Sequence, residues 1–276
     1  MAMQFFKNYK KHRKLARKIK AQNELVRKAQ LLTKQLAAAL ELCDEDIPVI
    51  VVCYNNAVYL ENMVLQLAEF NIKPVVIDNA SSDDKTVASI KQLASESKIY
   101  LARSDHNLGH LAGFLPSVFD VLPEVFAYTD PDLQLNKKLP LNFLSVLEKI
   151  ATDLNVFKAG FALDLCGEEQ IIPTVIENRL GAPFYQNFSH SIRDFEERFW
   201  RVKVDYPDYE IWSAEVDTTF AVYKKSNYYG HFYDGVRVAG DFSSIHLPWF
   251  PRLDLFDKSS RDIYLTNNVS STTWGV

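Results

Sequence analysis

Four short apolar runs lie between residues 47 and 129, and a cluster of polar residues follows each of them. The runs are rich in β-branched and aromatic residues and show little alternation, which is typical of strands buried on both faces of a parallel sheet. They cover residues 47–54, 74–77, 99–102 and 125–129. Apolar residues at helical spacing separate them, at residues 57–70, 83–93 and 111–122. Because strands and helices alternate, the pattern predicts a doubly wound α/β fold.

The pattern is less regular in the second half of the chain. Residues 155–165 predict one more strand, and residues 191–201 predict an amphipathic helix. Between these two elements, Pro173, Gly181 and Pro183 interrupt any regular periodicity. We therefore expect this segment to be a loop.

The N-terminal segment differs from the rest of the chain in charge. Residues 1–40 hold eleven Lys or Arg residues and a single acid, Glu24, whereas the whole chain has a formal net charge of −4. The segment lacks Pro and Gly and is rich in helix-forming residues, which predicts a basic helical arm over residues 1–45. One apolar stripe follows four- and three-residue spacing along it, formed by Leu25, Ala29, Leu32, Leu36 and Ala39.

Three interpretations of this arm are open. It could lie on an anionic membrane surface, with Phe5, Phe6 and Tyr9 as anchors. It could pair with a second copy of the chain as a short coiled coil through the apolar stripe, which would make a homo-oligomer. It could also be a solvated helix that packs on the domain. Nucleic acid is not expected as a partner, because the rest of the chain is acidic and contains no recognised nucleic-acid-binding module.

Composition and cysteine usage indicate the compartment. The chain has 276 residues, of which 47% are hydrophobic, and this is enough for a sizeable core. It contains no apolar stretch long enough to span a bilayer, and its basic N-terminus is not followed by the apolar region of a signal peptide. Cys43, Cys53 and Cys166 are odd in number and lack metal-site spacing. The sequence therefore predicts a cytoplasmic protein with reduced thiols, with any membrane association being peripheral and on the inner face.

Two aspartates follow the fourth apolar run, in Thr129-Asp130-Pro131-Asp132. In an extended segment residues i and i+2 share a face, and a proline favours extended backbone at the residue before it. Asp130 and Asp132 would then offer two carboxylates to one divalent cation, Mn²⁺ or Mg²⁺, that also holds phosphate oxygens. A turn is the alternative, because Asp-Pro-Asp is also good turn chemistry.

Polar clusters follow all four predicted strands, where open α/β sheets bind their ligands. The clusters are Tyr54-Asn55-Asn56, Asp78-Asn79, the segment from Arg103 to Gly109, and Asp130-Pro131-Asp132. No GxGxxG fingerprint follows the first strand and no P-loop motif occurs, which argues against dinucleotide and P-loop sites. Four clusters at equivalent positions predict one shared pocket.

The segments PVIVVCYNN, PVVIDNASSD, RSDHNLGHLAGF and FAYTDPDL, in this order, resemble a GT-A glycosyltransferase of the family 2 type over about residues 47–140. The resemblance implies a GT-A fold, with a mostly parallel central sheet flanked by helices. It implies that residues 46–135 bind a nucleotide-sugar, and that residues 136–276 bind the acceptor and supply a C-terminal lid. It matches Asp130 and Asp132 to the DxD motif, which contacts the ribose and the metal–diphosphate. It assigns the nucleotide to Tyr54, Asn55, Asp78, Asn79, Arg103, Asn107 and Gly109.

Two later segments add to the resemblance. Glu215 and Asp217 lie in a block like the family's acidic motif, from which inverting members take a general base for the acceptor hydroxyl. The two acids are usually adjacent, but Val216 separates them here, so the base is open between them, with Asp217 preferred over Glu215. A capped turn is the structural alternative. His246 looks like a third metal ligand, and Arg237 could contact phosphate or form a surface ion pair.

The function implied by the resemblance is a metal-dependent hexosyltransferase. It would move a sugar from a nucleotide-sugar, by resemblance a UDP-sugar, to a hydroxyl of a surface polysaccharide or lipid-linked glycan, with inversion. Two other classes are open. A nucleotidyltransferase that makes nucleotide-sugars also has an α/β sheet with metal-binding carboxylates, although Tyr54-Asn55-Asn56 is not the Gly-rich loop expected after its first strand. The third class is a non-catalytic scaffold that uses the basic arm to bind a membrane or a partner.

Overall fold

The computed structural model describes residues 23–166, 171, 175–177 and 189–267. Its helices are α1 (residues 23–42), α2 (Ala57–Ala68), α3 (Asp84–Ser95), α4 (Pro116–Val121), α5 (Phe143–Asp153), α6 (Ile192–Glu197) and α7 (Lys258–Asn267). Its strands are β1 (Val49–Cys53), β2 (Val75–Asp78), β3 (Tyr100–Arg103), β4 (Val125–Thr129), β5 (Leu133–Gln134), β6 (Lys158–Phe161), β7 (Val175–Glu177), β8 (Ser189–Ser191), β9 (Lys203–Val204), β10 (Ile211–Ser213), β11 (Ala221–Lys224), β12 (Gly235–Val238) and β13 (Ile245–His246). Among the helices of these ranges, none is both long enough and apolar enough to cross a bilayer.

A nine-stranded sheet forms the centre of the fold, in the order β3-β2-β1-β4-β11-β6-β12-β10-β9. The first four strands are parallel neighbours, and β6 is parallel to β12. Strand β11 is antiparallel to both β4 and β6, and β10 is antiparallel to β12 and β9. The predicted α/β fold with a largely parallel sheet flanked by helices is confirmed. Its parallel half brings the carboxyl ends of β1 to β4 to one edge.

Helices cover both faces of the sheet, which explains why the strand sequences show no alternation. In β1, Val49, Val51 and Cys53 belong to one hydrophobic cluster, to which α2, α3 and α5 contribute. Ile50 and Val52 belong to the other cluster, to which α1 and α4 contribute. Because both faces of β1 are buried, polar side chains are accommodated beyond its carboxyl end.

Helix α1 packs on the sheet through the apolar stripe. Leu32 and Leu36 are fully buried in the same cluster as residues of β1, β2 and β3, whereas Leu25 is 43% exposed. The carboxamide oxygen of Gln35 accepts a hydrogen bond of 2.9 Å from the backbone N–H of Arg103 in β3. For residues 23–42 the structure therefore has the helix packed on the domain, and the stripe is not available to a second copy of the chain while the helix lies here. Residues 1–22 of the predicted arm lie outside the described residues.

The helix expected over residues 111–122 is interrupted. A 3₁₀ turn at Ala112–Phe114 and helix α4, which begins at Pro116, replace it. Leu115 is extended, with φ −65° and ψ 137°, because the residue before a proline avoids the helical region. Leu111, the first residue of the expected helix, lies in a turn at the end of the loop that follows β3.

Replacing Leu36 by alanine should lower the free energy of unfolding by about 2–4 kcal/mol, since it removes buried packing and leaves a cavity. Leu42→Ala is the matched control, because Leu42 lies on the same helix but is 71% exposed. The control should change stability by less than about 0.5 kcal/mol. Urea denaturation of both variants measures the difference, and two equally small effects would contradict the packing of α1 on the sheet.

Candidate functional site

Asn55 joins the carboxyl ends of β1 and β2. Its φ of 49° is left-handed, a conformation that asparagine tolerates. Its side-chain oxygen accepts hydrogen bonds from the backbone N–H groups of Ser82 at 2.7 Å and Asp83 at 3.1 Å. Its backbone N–H donates to the Ser81 hydroxyl at 3.1 Å. Asn55 and the half-buried Tyr54 therefore lie at one edge of the sheet, beside the loop that follows β2.

Asp78 and Arg103 form an ion pair across the ends of β2 and β3. Asp78 is 1% exposed, and its Oδ2 accepts a hydrogen bond of 3.1 Å from Nε of Arg103. Its Oδ1 accepts from the backbone N–H of Ser81 at 2.8 Å. The parallel register places Asp78 opposite Arg103, whose side chain is 46% exposed. Asp78 and Arg103 were both predicted to bind the nucleotide. Their ion pair connects a buried carboxylate to a partly exposed guanidinium at the edge of the sheet.

Asn79 holds the loop that follows β3. Its amide nitrogen donates to the side-chain oxygen of Asn107 and to the carbonyl of Gly109, both at 3.0 Å. Its side-chain oxygen accepts from the backbone N–H of Leu108 at 2.8 Å. Gly109 has φ +80°, in the region that favours glycine. The structure therefore brings Asn79, Asn107 and Gly109 together, with Asn79 using its side chain to fix the loop.

Asp130 lies where the parallel and antiparallel halves of the sheet meet. Its side chain accepts a short hydrogen bond from the Thr218 hydroxyl, and its backbone N–H donates to the Thr218 carbonyl at 3.0 Å. Burial raises the pKa of Asp130 well above its ordinary value, and the charges of Asp132 and Asp217 raise it further, while the bond from Thr218 opposes them. Three carboxylates therefore crowd at the end of β4.

Asp132 is in contact with His246. The side chain of Asp132 is 7% exposed, and its Oδ2 lies 3.1 Å from Nε2 of His246. The two residues are brought together by the β5–β13 ladder, in which His246 pairs with Leu133. The backbone N–H of Leu247 also donates to the Asp132 carbonyl at 3.0 Å, and the His246 ring packs on Trp249 with centroids 4.4 Å apart. His246, the third residue predicted to bind the metal, is thus beside Asp132, the second.

The residues at the end of β4 fit a divalent cation in their chemistry. Within the described ranges, no three His, Cys, Asp or Glu side chains are already gathered as a formed metal site. Two carboxylates and an imidazole are nevertheless donors that Mn²⁺ or Mg²⁺ accepts. A cation there would also offset the repulsion by Asp132 and Asp217 that contributes to the raised pKa of Asp130. Ligation by Asp130, Asp132 and His246 stays a prediction.

Glu215 and Asp217 are both exposed, on either side of the buried Val216. Burial therefore does not distinguish Glu215 from Asp217, but the groups around the two residues do. Asp217 is the carboxylate whose charge, after burial and Asp132, raises the pKa of Asp130. Its Oδ1 also accepts from the backbone N–H of the next residue at 3.0 Å, as in the capped turn that the sequence left open. Asp217 is thus linked to Asp130 through its charge, and to the turn at Thr218 through its hydrogen bond.

The predicted roles of Arg237 are wrong. Its guanidinium is 4% exposed and lies 2.6 Å from the buried carboxylate of Glu196, so it forms neither a surface ion pair nor a phosphate contact. Its Nε donates to the backbone carbonyl of Glu215 at 2.9 Å, and the group stacks 3.9 Å from the Phe199 ring centroid. A buried guanidinium needs a buried partner, and Glu196 in α6 supplies it. This pair fixes the backbone at Glu215.

Two residues near the site were missed by the sequence analysis. Tyr59 of α2 is buried and donates to Asp254, and burial, Asp254 and the charge of Asp132 raise its pKa. Its helical position gave no signal. Lys158 is fully buried in β6, and a lysine inside an apolar strand was a visible signal. The C-terminal lid could not be located, since residues 268–276 lie outside the described part of the chain.

The family model described as Glycosyl transferase family 2 matches residues 49–212, more than half of the chain. No curated protein sequence matches the chain significantly. One similar solved structure is that of the mannosyltransferase PcManGT from Pyrobaculum calidifontis, in complex with GDP-Man and Mn²⁺. It has 14% sequence identity and a TM-score of 0.44, and the alignment covers 91% of this chain and 76% of that chain.

Proposed function

The chain belongs to glycosyl transferase family 2, and from this premise we propose that it moves a sugar from a UDP-sugar to a hydroxyl of a surface polysaccharide or lipid-linked glycan. The observation that carries the proposal is the contact between Asp132 and His246, just after Asp130 at the end of β4 and beside the polar ends of β1 to β3. Family membership favours sugar transfer over the synthesis of nucleotide-sugars and over a non-catalytic scaffold.

The ends of the first three strands are the proposed nucleotide site. A carboxylate only accepts hydrogen bonds, so Asp78 suits a base edge that presents an imide N–H, as uracil does. Arg103 stays partly exposed beside it and can contribute a guanidinium N–H to the donor. Tyr54, Asn55, Asn79, Asn107 and Gly109 shape the rest of this edge, mainly by fixing its two loops.

Asp130, Asp132 and His246 would hold a Mn²⁺ or Mg²⁺ ion. When bound, such a cation supplies charge neutralisation for the departing diphosphate. The chain's own contribution is to hold the donors in place. Thr218 fixes Asp130 by two hydrogen bonds, and the β5–β13 ladder fixes Asp132 against His246. Asp130 is also the residue proposed to contact the ribose.

Asp217 is the proposed general base. It is exposed, so an acceptor hydroxyl can reach it, and it lies electrostatically close to Asp130. In a single displacement Asp217 would take the hydroxyl proton as the oxygen attacks the anomeric carbon, which inverts that centre. Glu215 is the second candidate. Its backbone is tied to the buried Arg237, and its charge is absent from the causes that raise the pKa of Asp130.

Donor binding is tested by thermal melting with UDP- and GDP-sugars in the presence of Mn²⁺. A UDP-sugar at 100-fold over its Kd should raise Tm by about 5–10 °C. Asp132→Asn should lose this shift and lower transfer by about 10²–10³-fold, whereas Asp205→Asn, at an exposed aspartate, should do neither. A rise in Tm with GDP-sugars alone would show that the nucleobase of the donor is guanine and not uracil. No shift with any nucleotide-sugar would overturn the proposed function.

Asp217→Asn should lower kcat by about 10²–10⁴-fold and leave the donor KM nearly unchanged, because a general base acts in the chemical step. Glu215→Gln is the matched control and should keep most of the activity. The reverse pattern would assign the base to Glu215. Proton NMR of the product should show an inverted anomeric centre, and retained configuration would rule out a single displacement.

The basic residues of the N-terminal segment are proposed to attract the chain to an anionic membrane, where a lipid-linked acceptor would lie. The full chain should sediment with vesicles that contain phosphatidylserine and not with pure phosphatidylcholine vesicles. Binding should fall as salt rises from roughly 50 to 300 mM, because screening shortens the reach of the charges. Replacing Lys10, Lys11, Arg13 and Lys14 by glutamine should abolish it. Equal binding to both kinds of vesicle would contradict an electrostatic attachment.

A further inference from the structure

Lys158 is a buried cation that the proposed mechanism does not use. Its side chain is fully buried at the start of β6, between β11 and β12. The residue opposite it in β12 is Gly235, where a Cβ would lie 2.9 Å from Cγ of Lys158. The absence of a side chain at Gly235 therefore makes the space that the lysine occupies.

Aromatic rings surround the ammonium group of Lys158. Nζ lies 3.6 Å from the centroid of the Phe232 ring, 4.8 Å from that of Tyr223 and 6.0 Å from that of Phe157. Its hydrogen-bond acceptor is the Tyr223 hydroxyl, at 3.4 Å. Within the described residues, no carboxylate lies within ion-pair distance of Nζ. The group is stabilised by ring faces and one hydroxyl, which is weak compensation for a buried charge.

Titratable groups on three neighbouring segments act on Lys158. The pKa of Lys158 is lowered to about 7, chiefly by burial; the charge of Asp217 opposes this, that of Arg237 adds to it, and that of Asp234 opposes it. The Tyr223 hydroxyl is the remaining titratable group in contact with Lys158. Asp217 is therefore the first of the charges that keep Lys158 protonated.

Two hydrogen bonds in sequence connect Lys158 to the backbone of Asp217. Nζ donates to the Tyr223 hydroxyl, and that hydroxyl donates to the Asp217 carbonyl at 3.5 Å. Val216, next to Asp217, is fully buried, and a Cβ at Gly235 would lie 3.3 Å from its side chain. The segment around Asp217 therefore lies over Tyr223, Lys158 and the space beside Gly235.

We propose that Lys158 is a positioning residue for Asp217: its ammonium group, acting through the Tyr223 hydroxyl and by its charge, holds in place the segment whose carboxylate accepts the proton of the acceptor hydroxyl. A methionine of similar length would fill the aromatic cavity without the cost of a buried charge. The position therefore carries a charge that packing does not require. The inference rests on the proposed role of Asp217 in sugar transfer.

The coupling is measured without turnover, by NMR titration of the lysine ε-carbons. Lys158→Met identifies the resonance of Lys158, which should titrate near pH 7. Asp217→Asn should shift its midpoint to lower pH, because it removes a charge that favours the protonated lysine. Asp205→Asn, at an exposed aspartate, should not shift it. An unchanged midpoint in Asp217→Asn would overturn the proposal whether or not the protein transfers sugar.

The role in transfer is measured by the pH profile of kcat. Lys158→Met should lower kcat by about tenfold, a fraction of what a general base contributes, with the donor KM unchanged. The wild-type decline near pH 7, where Lys158 loses its proton, should be absent in this variant. Lys224→Met is the matched control, because Lys224 in β11 donates instead to the Thr152 hydroxyl at 2.9 Å. Wild-type kcat and an unchanged profile in Lys158→Met would overturn the proposal.

A structural role is separated from positioning by thermal melting. The folded-state pKa of about 7 lies below the ordinary 10.5, so the cost of burying the charge is complete below about pH 7 and disappears above pH 10.5. Lys158→Met should therefore melt at the same or a higher temperature at pH 7. If Lys158→Met melts at a lower temperature, the Tyr223→Phe variant separates the two roles, because this variant keeps the ring and removes the hydroxyl. Unchanged kcat in Tyr223→Phe would then overturn the proposal.

Discussion

Crowding of negative charge at the end of β4 is the constraint on which the site depends. Asp130 is partly buried, and desolvation together with the charges of Asp132 and Asp217 raises its pKa well above its ordinary value. Such an arrangement is unfavourable unless donors and cations offset it. Thr218 donates to Asp130, and His246 lies against Asp132. The remaining repulsion would be offset by a divalent cation, and the proposed role of the carboxylates toward a diphosphate donor depends on this.

The two halves of the sheet make different contributions to this edge. The parallel half, β3-β2-β1-β4, supplies polar ends that are tied together by Asn55, Asn79 and the Asp78–Arg103 pair. The antiparallel strand β11 follows the segment that holds Asp217 and Thr218, whereas His246 lies in β13, which pairs with β5 in a separate two-stranded sheet. The backbone N–H of Asp130 donates to the Thr218 carbonyl and joins the end of β4 to the segment before β11, and the N–H of Leu247 donates to the Asp132 carbonyl beside the β5–β13 ladder. The residues proposed for the nucleotide thus lie in the parallel half, and the proposed general base precedes an antiparallel strand.

Local patterns were sufficient to predict β1, β2, β3, β4 and β6 and the polar ends of the first four, since each depends on a short segment. The family resemblance pointed to His246, which lies against Asp132. Other features that depend on a second segment were not predictable. The stripe on α1 has the same spacing whether it meets a membrane, another copy or its own sheet, and only the tertiary structure shows Leu32 and Leu36 buried on the sheet. Arg237 was left open between a phosphate contact and a surface ion pair, because its buried partner, Glu196, is 41 residues away in the sequence.

The most direct test of the account is anomalous scattering from crystals grown with Mn²⁺ and the donor. The account predicts one manganese peak at the end of β4, with oxygens of Asp130 and Asp132 at about 2.0–2.2 Å and the donor diphosphate on its other side. A peak elsewhere, with both carboxylates pointing away from the ion, would contradict it.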